Sequence, residues 1–170
     1  MRIAVKLAFD EQAAVRLLNW LAQENGHILR ERPDLPLLYD SGVRYEREDD
    51  ETWCDFINML VQGHEDCDGL AAARAGELLA RGWRALRPGD GGYSLALSAR
   101  PASIQAVVFL RTRSSVDEPG LYHCLVRYLI DGQWFVDDPS ARLGMNGRIP
   151  RDIRRRWATA LDGNRWRTGA

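Results

Sequence analysis

An α+β domain, with helices packed on an antiparallel sheet, is what this 170-residue sequence predicts. Three stretches carry that prediction. "DGLAAARAGELLARG", from Asp68, is helical in composition and ends on a glycine suited to a helix C-terminus. "SIQAVVFLRTR", from Ser103, is rich in β-branched residues and reads as a buried strand. "LYHCLVRYLIDGQWFVDDPS", from Leu121, is two apolar strands joined by Asp131-Gly132, the dipeptide preferred in a type I′ hairpin turn.

The remaining elements follow in chain order. Ile3, Val5, Leu7 and Phe9 alternate as a short opening strand, or as an early start to the helix that follows. Asp10 caps a helix through about Asn25, with Ala14, Val15, Leu18 and Leu21 as its apolar stripe and Gly26 as its stop. Residues 27–50 hold two prolines and "YDSG", which break any period, so they read as an ordered loop or short strands. The acidic run Glu48 to Glu51 suits the N-terminus of a helix in "ETWCDFINMLVQ", where Trp53, Phe56, Ile57 and Leu60 recur at helical spacing and Cys54 is a packing residue. Gly63 ends that helix. Cys67 then stands at the first turn of the alanine-rich helix, where unpaired N–H groups favour a thiolate. "RPGDGGYSLALSARP" (residues 87–101) is a turn region without the flanking elements or lysine of a phosphate loop.

A net charge of −1 gives no reason to expect nucleic acid or an anionic membrane as a partner. No segment is apolar for long enough to span a bilayer, and "MRIAVKLAFDEQ" is too short and too polar for a secretory core, so a soluble cytoplasmic protein is expected. Three cysteines, Cys54, Cys67 and Cys124, with no CxxC spacing, read as reduced thiols. From Arg148 onward seven arginines stand against Asp152 and Asp162, with Trp157 and Trp166 interleaved. That stretch reads as a solvated amphipathic helix over about 148–170, or as a docking surface for an acidic partner.

The hairpin fixes a pairing. With Asp131 and Gly132 as the loop, Ile130 pairs with Gln133 and Leu125 lies opposite Asp138. His123 is then on the same face as Asp138 and diagonal to it, while Asp137 faces Val126. The pleat selects Asp138 over Asp137 as the partner of His123, and a one-residue slip would reverse the choice. Cys67, His123 and Asp138 are the parts a thiol nucleophile needs: a sulfur at a helix start, an imidazole to move its proton, and a carboxylate to hold the imidazole. Taken singly, each has a plainer reading as a buried cysteine, a strand histidine or a turn carboxylate.

"DCDGLAAARAGEL" resembles the nucleophile helix of transglutaminase-like cysteine enzymes, and "YHCLVRYLIDGQWFVDDPS" resembles their paired strands, with a histidine opening one strand, a "DG.W" hairpin and an Asp-Pro-Ser. The resemblance covers about residues 60–145. It implies a papain-like fold with a catalytic-type core over about 51–145, in which Cys67 is the nucleophile, His123 the acid/base and Asp138 its orienter. It implies acyl transfer on a protein or peptide amide through a thioester. The tetrahedral oxygen would be met by the Cys67 N–H and a second donor, for which Gln62, His64 and Trp53 are the local candidates. A closer similarity is to uncharacterised bacteriophage proteins that share "YDSGVRYERE" (39–48) and "DPSARLGM" (138–145). Their usual nucleophile text is Gly-Asp-Cys-Glu-Asp-Leu, against Glu65-Asp66-Cys67-Asp68-Gly69-Leu70 in this chain.

Three function classes stand against one another. The first is a phage-encoded cysteine peptidase, amidase or acyltransferase in the host cytoplasm. The second is a noncatalytic virion or assembly protein that meets phage structural proteins through the same fold. Metal binding is the third, with His64, Glu65, Asp66, Cys67, Asp68, His123 and Asp138 as possible ligands. Consecutive residues seldom converge on one ion and no HExxH spacing occurs, so no metal and no cofactor is expected.

Overall fold

A computed structural model describes residues 1–4, 11–47, 52–86, 104–112, 122–130 and 132–145. The described chain is α+β. It runs β1 (Arg2–Ala4), α1 (Glu11–Glu31), α2 (Leu38–Ser41), β2 (Arg44–Tyr45), β3 (Thr52–Cys54), α3 (Phe56–Gln62), β4 (His64–Glu65) and α4 (Cys67–Arg81). A 3-10 turn (Gly82–Ala85) follows, then β5 (Gln105–Thr112), β6 (Tyr122–Ile130), β7 (Gln133–Asp137) and α5 (Pro139–Arg142). Strands β5, β6 and β7 form an antiparallel sheet in that order. Two ribbons complete the strands: β1 with β3 antiparallel, and β2 with β4 parallel. Among the described residues no helix is long and apolar enough to cross a membrane.

Helix α4 is the hub. Every residue from Gly69 to Leu78 is buried, which small side chains allow because three partners approach it at once. On one side Ala71, Ala72, Ala75 and Leu78 join Leu18 and Leu21 of α1 and Val108, Cys124, Val126, Tyr128 and Ile130 of the sheet in one core. On the other, Leu70 and Ala73 meet Leu29, Leu38, Cys54, Phe56, Met59 and Leu143.

Two sequence expectations change. Helix α1 does not stop at Gly26 but continues to Glu31, and the glycine lies inside it. The reason is contact with α4: a Cβ on Gly26 would sit 3.2 Å from the Gly76 carbonyl oxygen, and one on Gly76 would sit 2.7 Å from the Ala22 oxygen. The glycines therefore allow close helix approach and do not end the helix. Thr52–Cys54 is strand β3, which places Cys54 in a strand; α3 starts only at Phe56 because the Asp55 carboxylate caps it by accepting from Asn58 N–H at 2.9 Å. Of residues 27–50, expected as an ordered loop or short strands, the described part to 47 holds the last turn of α1, the short helix α2 and the short strand β2. The acidic run 48–51, the turn region 87–101 and the arginine-rich 148–170 lie in whole or in large part outside the described residues.

Strand β5 is an edge of the sheet, and Asn19 of α1 serves it as a neighbouring strand would. Its amide donates to the Val108 carbonyl at 2.9 Å and accepts from Val108 N–H at 2.9 Å. At the opposite edge, β7 is tied to α4 by Arg74, which is fully buried. Its guanidinium reaches Asp137 at 2.8 Å, Glu77 at 2.6 Å and the Ala85 carbonyl at 2.8 Å, and lies 4.7 Å from the centre of the Tyr39 ring. Tyr39 donates to Asp137 at 2.8 Å, and Arg142 adds an ion pair to Asp137 at 3.2 Å. Burial holds the Tyr39 phenol well above its usual range, so it stays a neutral donor.

Two measurements check this packing. In urea melts, Gly76→Ala lowers stability by about 1–3 kcal/mol, whereas Gly26→Ala falls near zero, because a helix-propensity gain of about 1 kcal/mol offsets its milder contact. Arg74→Met leaves Glu77 and Asp137 buried without their shared cation and costs about 3–5 kcal/mol by the same assay.

Candidate active site

The approach to Cys67 is set by short-range geometry. Gly63 ends α3 in the left-handed region at φ 79°, which turns the chain into β4. Asp66 then caps α4, its carboxylate accepting from Asp68 N–H at 3.0 Å, so Cys67 is the first helical residue as its position in the sequence predicts. The side chain is half-buried. As the first residue of α4 it has no intrahelical acceptor for its own N–H.

The hairpin register is the one expected from the turn. Ile130 pairs with Gln133 and Val126 with Asp137, and Asp138 follows immediately after β7. The two adjacent aspartates diverge as the pleat requires: Asp137 goes to Arg74, and Asp138 Oδ2 lies 2.9 Å from His123 Nε2. Asp138 Oδ1 caps α5 by accepting from Ala141 N–H at 3.0 Å, which fixes the carboxylate from both oxygens. The His123 ring is buried, with Nδ1 making no conventional hydrogen bond. That nitrogen is left available to a thiol, while the Cys67 thiol donates to Asp68 Oδ1 at 3.1 Å; Cys67 and His123 act on each other electrostatically.

The electrostatics favour charge separation. Hydrogen bonding from the Cys124 side chain, followed by His123, outweighs burial and the Asp68 carboxylate, and lowers the Cys67 thiol to about 7. The Asp138 hydrogen bond, then that of Cys67, raises His123 to about 9. Between those values thiolate and imidazolium coexist. Asp66 opposes the thiolate less than its position suggests, because burial and the neighbouring Asp68, Cys67 and Glu65 push its carboxyl up and keep it neutral. Asp68 lies closer, its Oδ1 3.1 Å from the Cys67 sulfur. Burial raises the other two thiols: Cys54 beside Glu65, and Cys124 after its hydrogen bond to Cys67.

The candidate oxyanion donors are placed differently from expectation. The Trp53 indole N–H donates to Asp68 Oδ2 at 3.1 Å and so orients that carboxylate. Gln62 accepts from Arg2 at 2.6 Å, and its amide lies 3.4 Å from His64 Nδ1, so this pair is engaged with each other and with β1.

Two participants were not singled out from the sequence. Cys124 reads in the sequence as one more strand residue, yet its sulfur lies with the Cys67 sulfur and an Asp68 carboxylate oxygen in one cluster. Glu65 is fully buried, accepting from the Cys54 thiol at 2.8 Å and from Asp66 N–H at 3.2 Å. A Cβ on Gly69 would stand 2.4 Å from Glu65 Cγ and 2.6 Å from its Cδ. Two of the three positions at which the nucleophile text departs from the one it resembles, 65 and 69, are therefore in contact, and the glycine makes room for the glutamate. The legible signal was that both departures fall one helical turn apart.

A double-mutant cycle in urea tests that pair. Gly69→Ala costs about 1–3 kcal/mol in the native background and at least about 1 kcal/mol less in Glu65→Ala, where the clashing atoms are gone. Comparison with family models, with curated proteins and with solved structures finds no match to this chain, so its functional reading rests on the geometry of Cys67, His123 and Asp138.

Proposed function

We propose that this chain is a cysteine enzyme of papain-like, transglutaminase-like type, phage-encoded, that transfers acyl groups from a protein or peptide amide to water or an amine. One observation carries the reading: Asp138 holds His123 through Nε2 at 2.9 Å, and the buried ring keeps Nδ1 without a hydrogen bond, available to the thiol at the N-terminus of α4. Nearest-neighbour chemistry then defines the roles. The Cys67 thiolate attacks the amide carbonyl, and negative charge on the tetrahedral oxygen is met by the Cys67 backbone N–H. Imidazolium His123 gives its proton to the leaving amine as the C–N bond breaks, which leaves a thioester. A water or amine, deprotonated by His123, attacks the thioester and returns Cys67 as the leaving thiolate. Asp138 orients the ring throughout and stabilises its charged form.

The contact of Glu65 with Gly69 supports the reading from a second direction. The resembled text has glycine two positions before the cysteine and an acid two positions after it; in this chain the two exchange places, and Glu65 fills the volume that Gly69 leaves. Asp68, whose carboxylate faces the Cys67 sulfur, supports a noncatalytic alternative, in which the fold serves contacts with phage structural proteins.

Iodoacetamide alkylation of metal-free protein, with mass-spectrometric site assignment across pH, separates the two. The groups facing the sulfur are Asp68 and the Asp66 cap on α4, with His123 and Cys124 on β6. Cys67 is a thiol that loses its proton on charging, so labelling rises with pH with a midpoint near about 7 and is confined to Cys67. His123→Ala removes an electrostatic partner of the thiolate, and a rise of about one unit in the thiol pKa slows labelling roughly fivefold at pH 7 and roughly tenfold well below it. Asp138→Asn falls between. Equal labelling of wild type and His123→Ala would reject the coupled site and leave the noncatalytic reading.

A further inference from the structure

The first turn of α4 and strand β6 bring together three donors that sequence spacing does not connect. The sulfurs of Cys67 and Cys124 and a carboxylate oxygen of Asp68 lie within 4.8 Å of one another. Zinc bonds of about 2.3 Å to sulfur and 2.0–2.2 Å to oxygen place tetrahedral ligands roughly 3.3–3.8 Å apart, so a small adjustment brings all three onto one ion. The surroundings are those of a ligand set. The Asp68 carboxylate is oriented by the Trp53 indole N–H on its other oxygen, as second contacts orient the ligands of metal sites. His123, next to Cys124 on β6 and 5% exposed, carries a buried Nδ1 with no conventional hydrogen bond. Cys124 is buried while Cys67 and Asp68 are half-buried, so an ion reaches the pair of sulfurs past the first turn of the helix.

We propose that Cys67, Asp68 and Cys124 form a binding site for a soft divalent cation, zinc, which occupies the same sulfur as the proposed nucleophile and therefore blocks it. Two thiolates select zinc over magnesium or calcium, which require oxygen donors. In the metal-free protein the crowded sulfurs and carboxylate share protons. Binding exchanges them: one Zn²⁺ joins two thiols and one carboxylate, two sulfur–metal bonds and one oxygen–metal bond form, and two protons leave to solvent. The site goes beyond the acyl-transfer reading and does not depend on it, since it requires only that these donors meet.

Untagged full-length protein, reduced with a phosphine and stripped of metal, is titrated with Co²⁺ and then with Zn²⁺. The expected result is one equivalent of Co²⁺ showing a thiolate-to-metal charge-transfer band and the intense visible bands of tetrahedral cobalt, both abolished by Zn²⁺. Cys124→Ala and Asp68→Asn each weaken binding by at least about tenfold, with circular dichroism confirming the fold, and Cys54→Ala retains the bands. Zinc also protects Cys67 from iodoacetamide until EDTA is added. Absence of the charge-transfer band, or its persistence unchanged in folded Cys124→Ala, overturns the site. Zinc binding by protein whose Cys67 labels identically in wild type and His123→Ala would keep the metal site and reject the acyl-transfer reading; the converse result would do the reverse.

Discussion

The buried guanidinium of Arg74 is the constraint around which the other parts of the structure are arranged. It projects from the middle of α4, where every neighbour is buried, and it reaches strand β7 through Asp137, the 3-10 turn through the Ala85 carbonyl, and the face of Tyr39 beside α2. A charge in that position is expensive unless its hydrogen bonds are met, and Glu77, Asp137 and Ala85 meet them. Because Asp137 is held to α4, the next residue, Asp138, is held at a fixed distance from the same helix. The clamp thus determines where the histidine and its carboxylate stand relative to the sulfur at the N-terminus of α4.

A division of labour between adjacent residues recurs around the site. Asp137 and Asp138 share a chain segment but serve different elements, one holding the fold and the other holding His123. Asp66 and Asp68 flank Cys67 with unequal effect: the cap is kept neutral by burial, and the other carboxylate faces the sulfur. His123 and Cys124 are consecutive on β6, and both act on Cys67. The sulfur is consequently placed among an imidazole, a second thiol and a carboxylate, a crowding on which both the proposed nucleophile and the proposed metal site draw.

Small residues make these approaches possible. Gly26 and Gly76 let α1 and α4 meet backbone to backbone, and Gly69 leaves the volume that Glu65 fills. The alanines of α4 allow the helix to be enclosed by α1, the sheet and the second core at once. None of these positions carries chemistry, yet each places a group that does.

The features legible in the sequence are those set by local rules. The Asp131-Gly132 dipeptide and the two-residue period of a strand determined the hairpin register, and with it the pairing of His123 with Asp138 and not Asp137. The alanine run after Cys67 and the glycine that closes it mark a helix with the sulfur in its first turn. Helix periodicity misplaced the start of α3, because Asp55 caps it after a strand that pairs with β1, a partner remote in sequence. Gly26 was read as a stop because its actual neighbour, Gly76, lies on another helix. The approach of Cys124 to Cys67 and Asp68 and the burial of Arg74 were decided by tertiary structure alone. Each depends on a contact between elements whose separation along the chain follows no period, so no spacing in the sequence records it.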